Sequence, residues 1–439
     1  MPSGYLTRIV DAELDELLPA LPAISLEGPK AVGKTRTALE RARTVHRLTD
    51  PQVVELARAD RSRLVARDQD PPVLIDEWQR LPETWDLVRE AVDDWAAPGY
   101  FLLTGSAAPP HRSSDGSEAE PAPVHSGAGR IPSVRMRPMT LAERGVGAAT
   151  VSLMGLLSSD HPPVMGETDI RLDGYVAEIL ASGFPAIREL DGRAHRTQLD
   201  GYISRVIDRD FPDEVGQRVR NPATLRRWMT AYAAASSQTV AFETIREAAS
   251  GRREGDRPAR ATTLSYRDAL ERLWLLDPIP AWLPTRNYFS RLGAAAKHQL
   301  ADPALAARLL GVDADTLLEG RDAGPPIPRD GTLLGALFES LVTLNVRVYA
   351  QQAEAEVKHF RTHSGDHEVD LIVQRADEKV VAIEVKLAQT VADSDVRHLN
   401  WLAGKIGDNL LDRIVVTTGR AAYRRSDGVA VVPAALLGP

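Results

Sequence analysis

No cysteine occurs among the 439 residues, which excludes disulfides, thiolate metal ligands and cysteine nucleophiles together. No run of about eighteen apolar residues is present. The opening Met1-Pro2-Ser3-Gly4-Tyr5 lacks the basic segment that leads into a secretory apolar core. These absences predict a soluble, cytoplasmic protein with no membrane partner. An excess of positive charge is missing as well, since 53 basic and 61 acidic residues leave a net charge of −8. That balance argues against a general coating of nucleic acid and leaves room only for a local basic patch.

What is present begins with length. A chain of 439 residues exceeds one ordinary core, and the prior is about three domains. The organising stretch is Gly28-Pro29-Lys30-Ala31-Val32-Gly33-Lys34-Thr35, preceded by the apolar run Ala23-Ile24-Ser25-Leu26 and followed by a helix-forming segment that opens at Arg36. This is a complete Walker A phosphate loop. Gly28 and Gly33 let the backbone curl with its N–H groups inward, Lys34 reaches the β- and γ-phosphates, and the Thr35 hydroxyl ligates Mg²⁺. ATP and Mg²⁺ are therefore the expected ligands, contacted by residues 28–36.

Pro72-Val73-Leu74-Ile75-Asp76-Glu77-Trp78-Gln79 reads as a buried strand ending in two carboxylates, a Walker B pattern. Asp76 is expected to hold Mg²⁺ and Glu77 to orient or deprotonate the attacking water. The next strand, Tyr100 to Ser106, ends at the same crevice, with Thr104 and Ser106 as candidate sensors of the γ-phosphate. Residues 107–129 form a polar insertion rich in Pro, Ser, Gly and Ala. Arg130 follows it, placed to act as an arginine finger or simply to be solvated or paired locally.

Ile75-Asp76-Glu77-Trp78-Gln79-Arg80-Leu81-Pro82, Leu103-Thr104-Gly105-Ser106, Gly129-Arg130, Arg137-Pro138-Met139-Thr140-Leu141-Ala142-Glu143, Gly183-Phe184-Pro185 and Ala301-Asp302-Pro303 resemble, together with the phosphate loop, a prokaryotic family of AAA-type ATP-binding proteins. In that family an ATPase module precedes a C-terminal domain of unassigned function. The resemblance implies an ATPase core and says little about a substrate.

Residues 170–215 are helical by pattern, with Arg205 and Arg209 four apart on one face. They are open to a phosphate-sensing role or to pairing with acids such as Asp208 and Asp210. From Thr224 to Trp282 the order of three helices and a short apolar end resembles a winged helix-turn-helix, with Ser265, Arg267 and Arg272 as candidate groove contacts. The loop Gly251 to Arg260, with four arginines against two acids, could touch DNA phosphates. A protein-contacting lid is the competing role for this region.

From Gly331 the pattern becomes helix, two strands, helix, strand, an order that resembles the core of the PD-(D/E)XK nucleases. Asp370 and Glu384, with Glu339 from the opening helix, are candidate ligands for Mg²⁺ or Mn²⁺. Lys386, two residues beyond Glu384, shares its strand face and could orient a nucleophilic water. Asp370, Glu384 and Lys386 are accordingly candidate catalytic residues beside Glu77 and Arg130.

The expected architecture is α/β. A P-loop NTPase domain of AAA type with a parallel sheet occupies 1–165, a helical middle with a winged-helix element 166–325, and a restriction-endonuclease-like domain 326–439. The function expected is a Mg-dependent ATPase acting as a nucleotide-driven switch on the nuclease-like domain. Two alternatives stand beside it: an ATP-regulated, metal-dependent DNA nuclease, and a non-cutting ATP-dependent regulator that binds DNA or protein. Assembly into a homo-oligomer is left open.

Overall fold

The apolar run after Pro22 forms strand β1 (Ala23–Glu27), buried at every position. β3 (Val73–Asp76) and β4 (Phe101–Gly105) are likewise buried throughout. Strands without an exposed face belong inside a parallel sheet covered on both sides. The computed structural model describes residues 4–106, 128–158, 161–212, 221–250, 257–284, 294–319, 333–362 and 364–439. The polar insertion, apart from 128–129, and residues 251–256 of the arginine-rich loop lie outside them.

Chain contacts divide the protein into two units. The first takes in Met1–Arg137, Asp208–Arg218 and Asp268–Leu275. Its sheet is wholly parallel, in the order β2 (Thr44–Arg47), β3, β4, β1, β5 (Ser133–Arg135). β4 thus separates β1 from β3, and the carboxyl ends of all three open at one edge. One face packs Val73, Ile75, Phe101 and Leu103 against Trp78, Trp85 and Val88, with the two indole rings 4.7 Å apart. Trp85 and Val88 come from the helix Glu83–Asp94, whose buried positions recur at helical spacing. Asp50 caps the helix Pro51–Ala59 by accepting from Gln52 N, as the Asp-Pro pair implies.

The second unit takes in Pro138–Ile207, Val219–Arg267 and Leu276–Pro439, so residues 138–158 fall here. It holds a seven-stranded mixed sheet in the order β7 (Gly166–Glu167), β12 (Ala421–Arg424), β13 (Ala430–Pro433), β11 (Leu410–Thr417), β10 (Val380–Lys386), β9 (Glu368–Gln374), β8 (Glu356–Arg361). β8, β9 and β10 run antiparallel, whereas β10, β11 and β13 run parallel. The expected helix, hairpin, helix and strand are all found, and β8, β12 and β13 were not anticipated. Two further short strands, β6 (Val151–Ser152) and β14 (Leu437–Gly438), pair in parallel.

Helix Leu333–Gln352 is the one helix among the described residues long and apolar enough to cross a membrane, and 72% of its apolar window is buried within the protein. It serves as a core helix. The segment expected as a wing makes isolated bridges, Ile279 with Lys297 and Ala281 with His359.

Three of the motifs that carry the resemblance meet in the interior of this unit. Asp302, fully buried, caps the helix Pro303–Leu310 through Ala304 N (2.8 Å) and also accepts from Gly183 N (2.6 Å). Gly183 O in turn accepts from Met139 N. Arg144, its side chain also fully buried, donates to Met139 O and to Glu178. A Cβ on Gly183 would stand 2.8 Å from Met139 N and from an Arg144 nitrogen, so glycine is required where these chains cross. Buried polar groups need such partners, and these motif residues are explained by packing.

Candidate nucleotide site and C-terminal carboxylate cluster

The phosphate loop leaves β1 at Gly28, whose φ of +152° lies in glycine territory and whose missing Cβ would otherwise sit 2.2 Å from Met136 O. Glu27 O accepts from Met136 N at 2.7 Å, so the neighbouring strand is pressed against the loop. Gly33, at φ +112°, turns the chain into the helix Lys34–Leu39. Lys34 is 5% exposed, and its Nζ donates to Gly28 O (2.7 Å) and Pro29 O (2.9 Å). The ammonium is thereby held inside the curl of the loop.

At the end of β3, Asp76 Oδ1 accepts from Thr35 Oγ1 (2.7 Å) and from Thr104 Oγ1 (2.6 Å). Walker A threonine, Walker B aspartate and the β4 threonine therefore converge, because β4 lies between the other two strands. Hydroxyl and carboxylate oxygens are the donors a hard cation such as Mg²⁺ prefers, and this set fits it.

Glu77 takes the left-handed conformation (φ 59°, ψ 47°), which costs a non-glycine residue about 1 kcal/mol and turns its side chain off the strand. Its carboxylate accepts from Gln79 Nε2 at 2.5 Å, and the same nitrogen lies 3.0 Å from Ser106 Oγ. Glu77, Gln79 and Ser106 thus form a polar set beside Asp76. A Cβ on Gly105 would meet Trp78 Nε1 at 2.6 Å, so the glycine between Thr104 and Ser106 admits this arrangement. Gln79 was not singled out from the sequence, although its place two residues beyond Glu77 was the available signal.

Other loop residues find partners within the unit. Lys30 Nζ pairs with Asp210 at 2.7 Å across 180 residues. Asp210 ends a π-helical turn, Val206–Asp210, a distortion frequent at functional sites. Arg8, buried, donates to Val32 O (2.9 Å) and Arg137 O (2.7 Å), tying the N-terminal segment to the back of the loop. No feature of the sequence marked it. Arg36 is exposed beside Glu40. Arg130 pairs with Asp93 of its own unit at 2.9 Å, and that guanidinium holds the Asp93 carboxyl below its usual range. Glu27 is pushed up by burial, against hydrogen bonds from Ser133 and Ser25.

In the second unit, Glu339, Asp370, Glu384 and Lys386 stand near one another as expected, but a residue absent from the sequence reading sits among them. Lys297 is 1% exposed. Its Nζ lies 2.8 Å from Glu339 Oε1, 3.4 Å from Asp370 Oδ1 and 3.6 Å from Glu368 Oε1. Lys386 pairs with Glu384 Oε2 at 2.8 Å, and Asp370 Oδ2 accepts from Val385 N.

Burial and the neighbouring Asp370 charge push Glu339 up to about 8 against the pull of Lys297. Burial and the same charge raise Glu384. For Asp370 burial acts upward, but Lys297 and Lys386 outweigh it and the net shift is down. Among the described residues no group of three or more His, Asp or Glu side chains is arranged to hold a metal ion. The described residues thus offer no such set for the divalent ion expected there.

Of the candidate DNA contacts, Arg267 lies over the Phe242 ring at 5.0 Å, and Ser265 Oγ donates to Ala261 O. Arg257, at the edge of the arginine-rich loop, pairs with Glu243 and Glu247.

Comparison with known proteins locates the first site. Residues 21–144 match an AAA domain, so the phosphate loop, Asp76, Glu77 and Thr104 belong to an AAA-type ATP-binding domain. Residues 172–316 and 334–437 match two domains of unknown function (DUF8612 and DUF4143). Relatives include an uncharacterized protein of Mycobacterium tuberculosis and one of Mycobacterium bovis. Each is 26% identical over 430 residues, spanning 97% of this chain and 83% of the relative. A Walker-type ATPase of Pyrococcus abyssi aligns with 68% of this chain and 94% of its own, at 14% identity and a TM-score of 0.39.

Proposed function

We propose that this protein is a Mg-dependent ATP hydrolase whose nucleotide state acts as a switch on its C-terminal α/β domain. The observation that carries the reading is the convergence of Thr35, Asp76 and Thr104 on one carboxylate oxygen, with Glu77 beside it. Lys34 and the loop N–H groups bind the phosphates, and Thr35 and Asp76 hold the cation. Bound Mg²⁺ supplies charge that offsets the negative charge of the γ-phosphoryl group. Glu77 accepts the proton of the water that attacks the γ-phosphorus, with ADP as leaving group. Gln79 and Ser106, which contact the Glu77 carboxylate, set its orientation.

Of the two roles open to the C-terminal domain, binding is favoured over cutting. Lys297 occupies the space among the carboxylates that a nuclease would give to a metal. Mn²⁺-dependent cleavage of duplex DNA, lost with Lys386→Ala, would reverse that preference.

The test of the ATPase reading is Glu77→Gln, which keeps the shape and removes the base. Affinity for Mg-ATP should remain, while turnover falls about 10²- to 10⁴-fold, the usual worth of a positioned base. Turnover near wild type overturns the role given to Glu77.

A further inference from the structure

The carboxylates of the C-terminal sheet pose a problem of charge. Glu339 projects from helix Leu333–Gln352, Glu368 and Asp370 from β9, and Glu384 from β10. Four carboxylates in a largely buried cluster repel one another strongly unless cations stand among them. Lys386 lies at the rim, one-third exposed, where it pairs with Glu384 and its charge also lowers Asp370. Arg361 stands 3.9 Å from Glu368 at the exposed side, and the buried positive charge is Lys297, whose ammonium is shared by Glu339, Glu368 and Asp370.

Lys297 is held there by backbone. Its N–H and C=O exchange 2.9 Å hydrogen bonds with Ile279, so the side chain enters the cluster from an ordered two-residue bridge. Glu384 Oε1 is buried and receives no donor, on a side chain only 3% exposed. Its near neighbour is Asp370, to which the Glu384 carboxyl donates a side-chain hydrogen bond when it holds a proton. Burial raises Glu339 and Glu384 toward their protonated forms, so the repulsion is relieved by protons as well as by Lys297, Lys386 and the Arg361 guanidinium at Glu368.

We propose that Lys297 is a built-in counter-cation that fills the seat of a hard divalent ion in this cluster and excludes such an ion from it. The ammonium supplies one charge and three donors where a divalent ion would supply two charges and bind oxygens directly. It satisfies Glu339 and Asp370 and leaves Glu384 Oε1 without a cationic donor. Withdrawing it turns the carboxylates from counter-ions of a lysine into oxygen ligands for Mg²⁺ or Mn²⁺. This inference rests on the cluster alone and stands independently of the ATPase reading.

The test is a Mn²⁺ titration of the full chain without nucleotide, followed by electron paramagnetic resonance and calorimetry, on wild type, Lys297→Ala and Lys297→Met. The methionine variant keeps the volume of the aliphatic stem. The variants should gain one Mn²⁺ site about tenfold or more tighter than any in wild type, the factor that roughly 1.4 kcal/mol of relieved repulsion yields. Adding Asp370→Asn should remove the gained site. A variant that unfolds without metal should regain its circular dichroism on adding Mn²⁺. Asp370-dependent Mn²⁺ binding by wild type as tight as that of the variants overturns the proposal. So do variants that are folded yet bind no ion, or that stay unfolded with and without it.

Discussion

Replacing Lys34 by alanine tests the phosphate loop where its energetics can be worked through. The Lys34 ammonium is buried, donating to Gly28 O at 2.7 Å and Pro29 O at 2.9 Å. When nucleotide arrives it must exchange those carbonyls for phosphate oxygens. A unit charge about 4 Å from a phosphate charge, at an effective dielectric of about 20, gains about 4 kcal/mol. Giving up two hydrogen bonds made by a charged donor, at about 1.5 kcal/mol each, returns about 3 kcal/mol of that. The net loss in Lys34→Ala is therefore about 1 kcal/mol, or about fivefold in Kd. Calorimetric titration with Mg-ATP and Mg-ADP measures it, and the loss should be smaller for ADP, which lacks the γ-phosphate. Because Gly28 and Pro29 are buried and their carbonyls lose a donor in the variant, Tm should fall modestly. An affinity unchanged from wild type would refute the reasoning, and a large fall in Tm would make the lysine structural.

Asp302→Ala removes the acceptor of two buried backbone N–H groups and a charge facing Arg144. It should cost about 3 to 5 kcal/mol in urea unfolding, and a loss below about 1 kcal/mol would contradict the interior meeting point of the motifs. His359 is lowered to about 4 from an ordinary 6.5 by burial and by Lys297, with Arg361 acting the same way and Asp370 opposing. The folded protein binds this proton more weakly than the unfolded chain does. Stability present above pH 6.5 should therefore be lost as pH falls toward 4, by about 3 kcal/mol at most. His359→Gln should flatten that part of a Tm-against-pH curve. Arg130→Ala, at a half-exposed pair with Asp93, should alter stability by less than about 1 kcal/mol. Mixing it with Lys34→Ala protein restores turnover only if Arg130 acts across copies of the chain, and a mixture without restored turnover limits it to its own subunit.

What the sequence by itself determined are features carried by contiguous residues. Gly28 to Thr35 is legible because the loop's chemistry is local: two glycines, a lysine and a hydroxyl within eight positions suffice to curl backbone around phosphate. Asp76 and Glu77 are legible because an apolar strand that ends in acids has few other uses. The C-terminal strands are legible for a similar reason, since period and composition mark them before their neighbours are known. The sheet order decided that Thr104, rather than Ser106, reaches Asp76, since β4 runs between β1 and β3 in a fixed register.

Tertiary structure alone decided the contacts between distant segments. Lys30 meets Asp210, Arg8 reaches behind the loop, and Arg130 is engaged by Asp93. It also decided the state of the C-terminal cluster. Asp370, Glu384 and Lys386 looked like a metal site because spacing along strands sets which face a side chain takes. Spacing cannot say what arrives on that face from 73 residues upstream of Asp370, where Lys297 originates. A buried charge is tolerated only where packing brings its partners together, and that condition belongs to the folded chain.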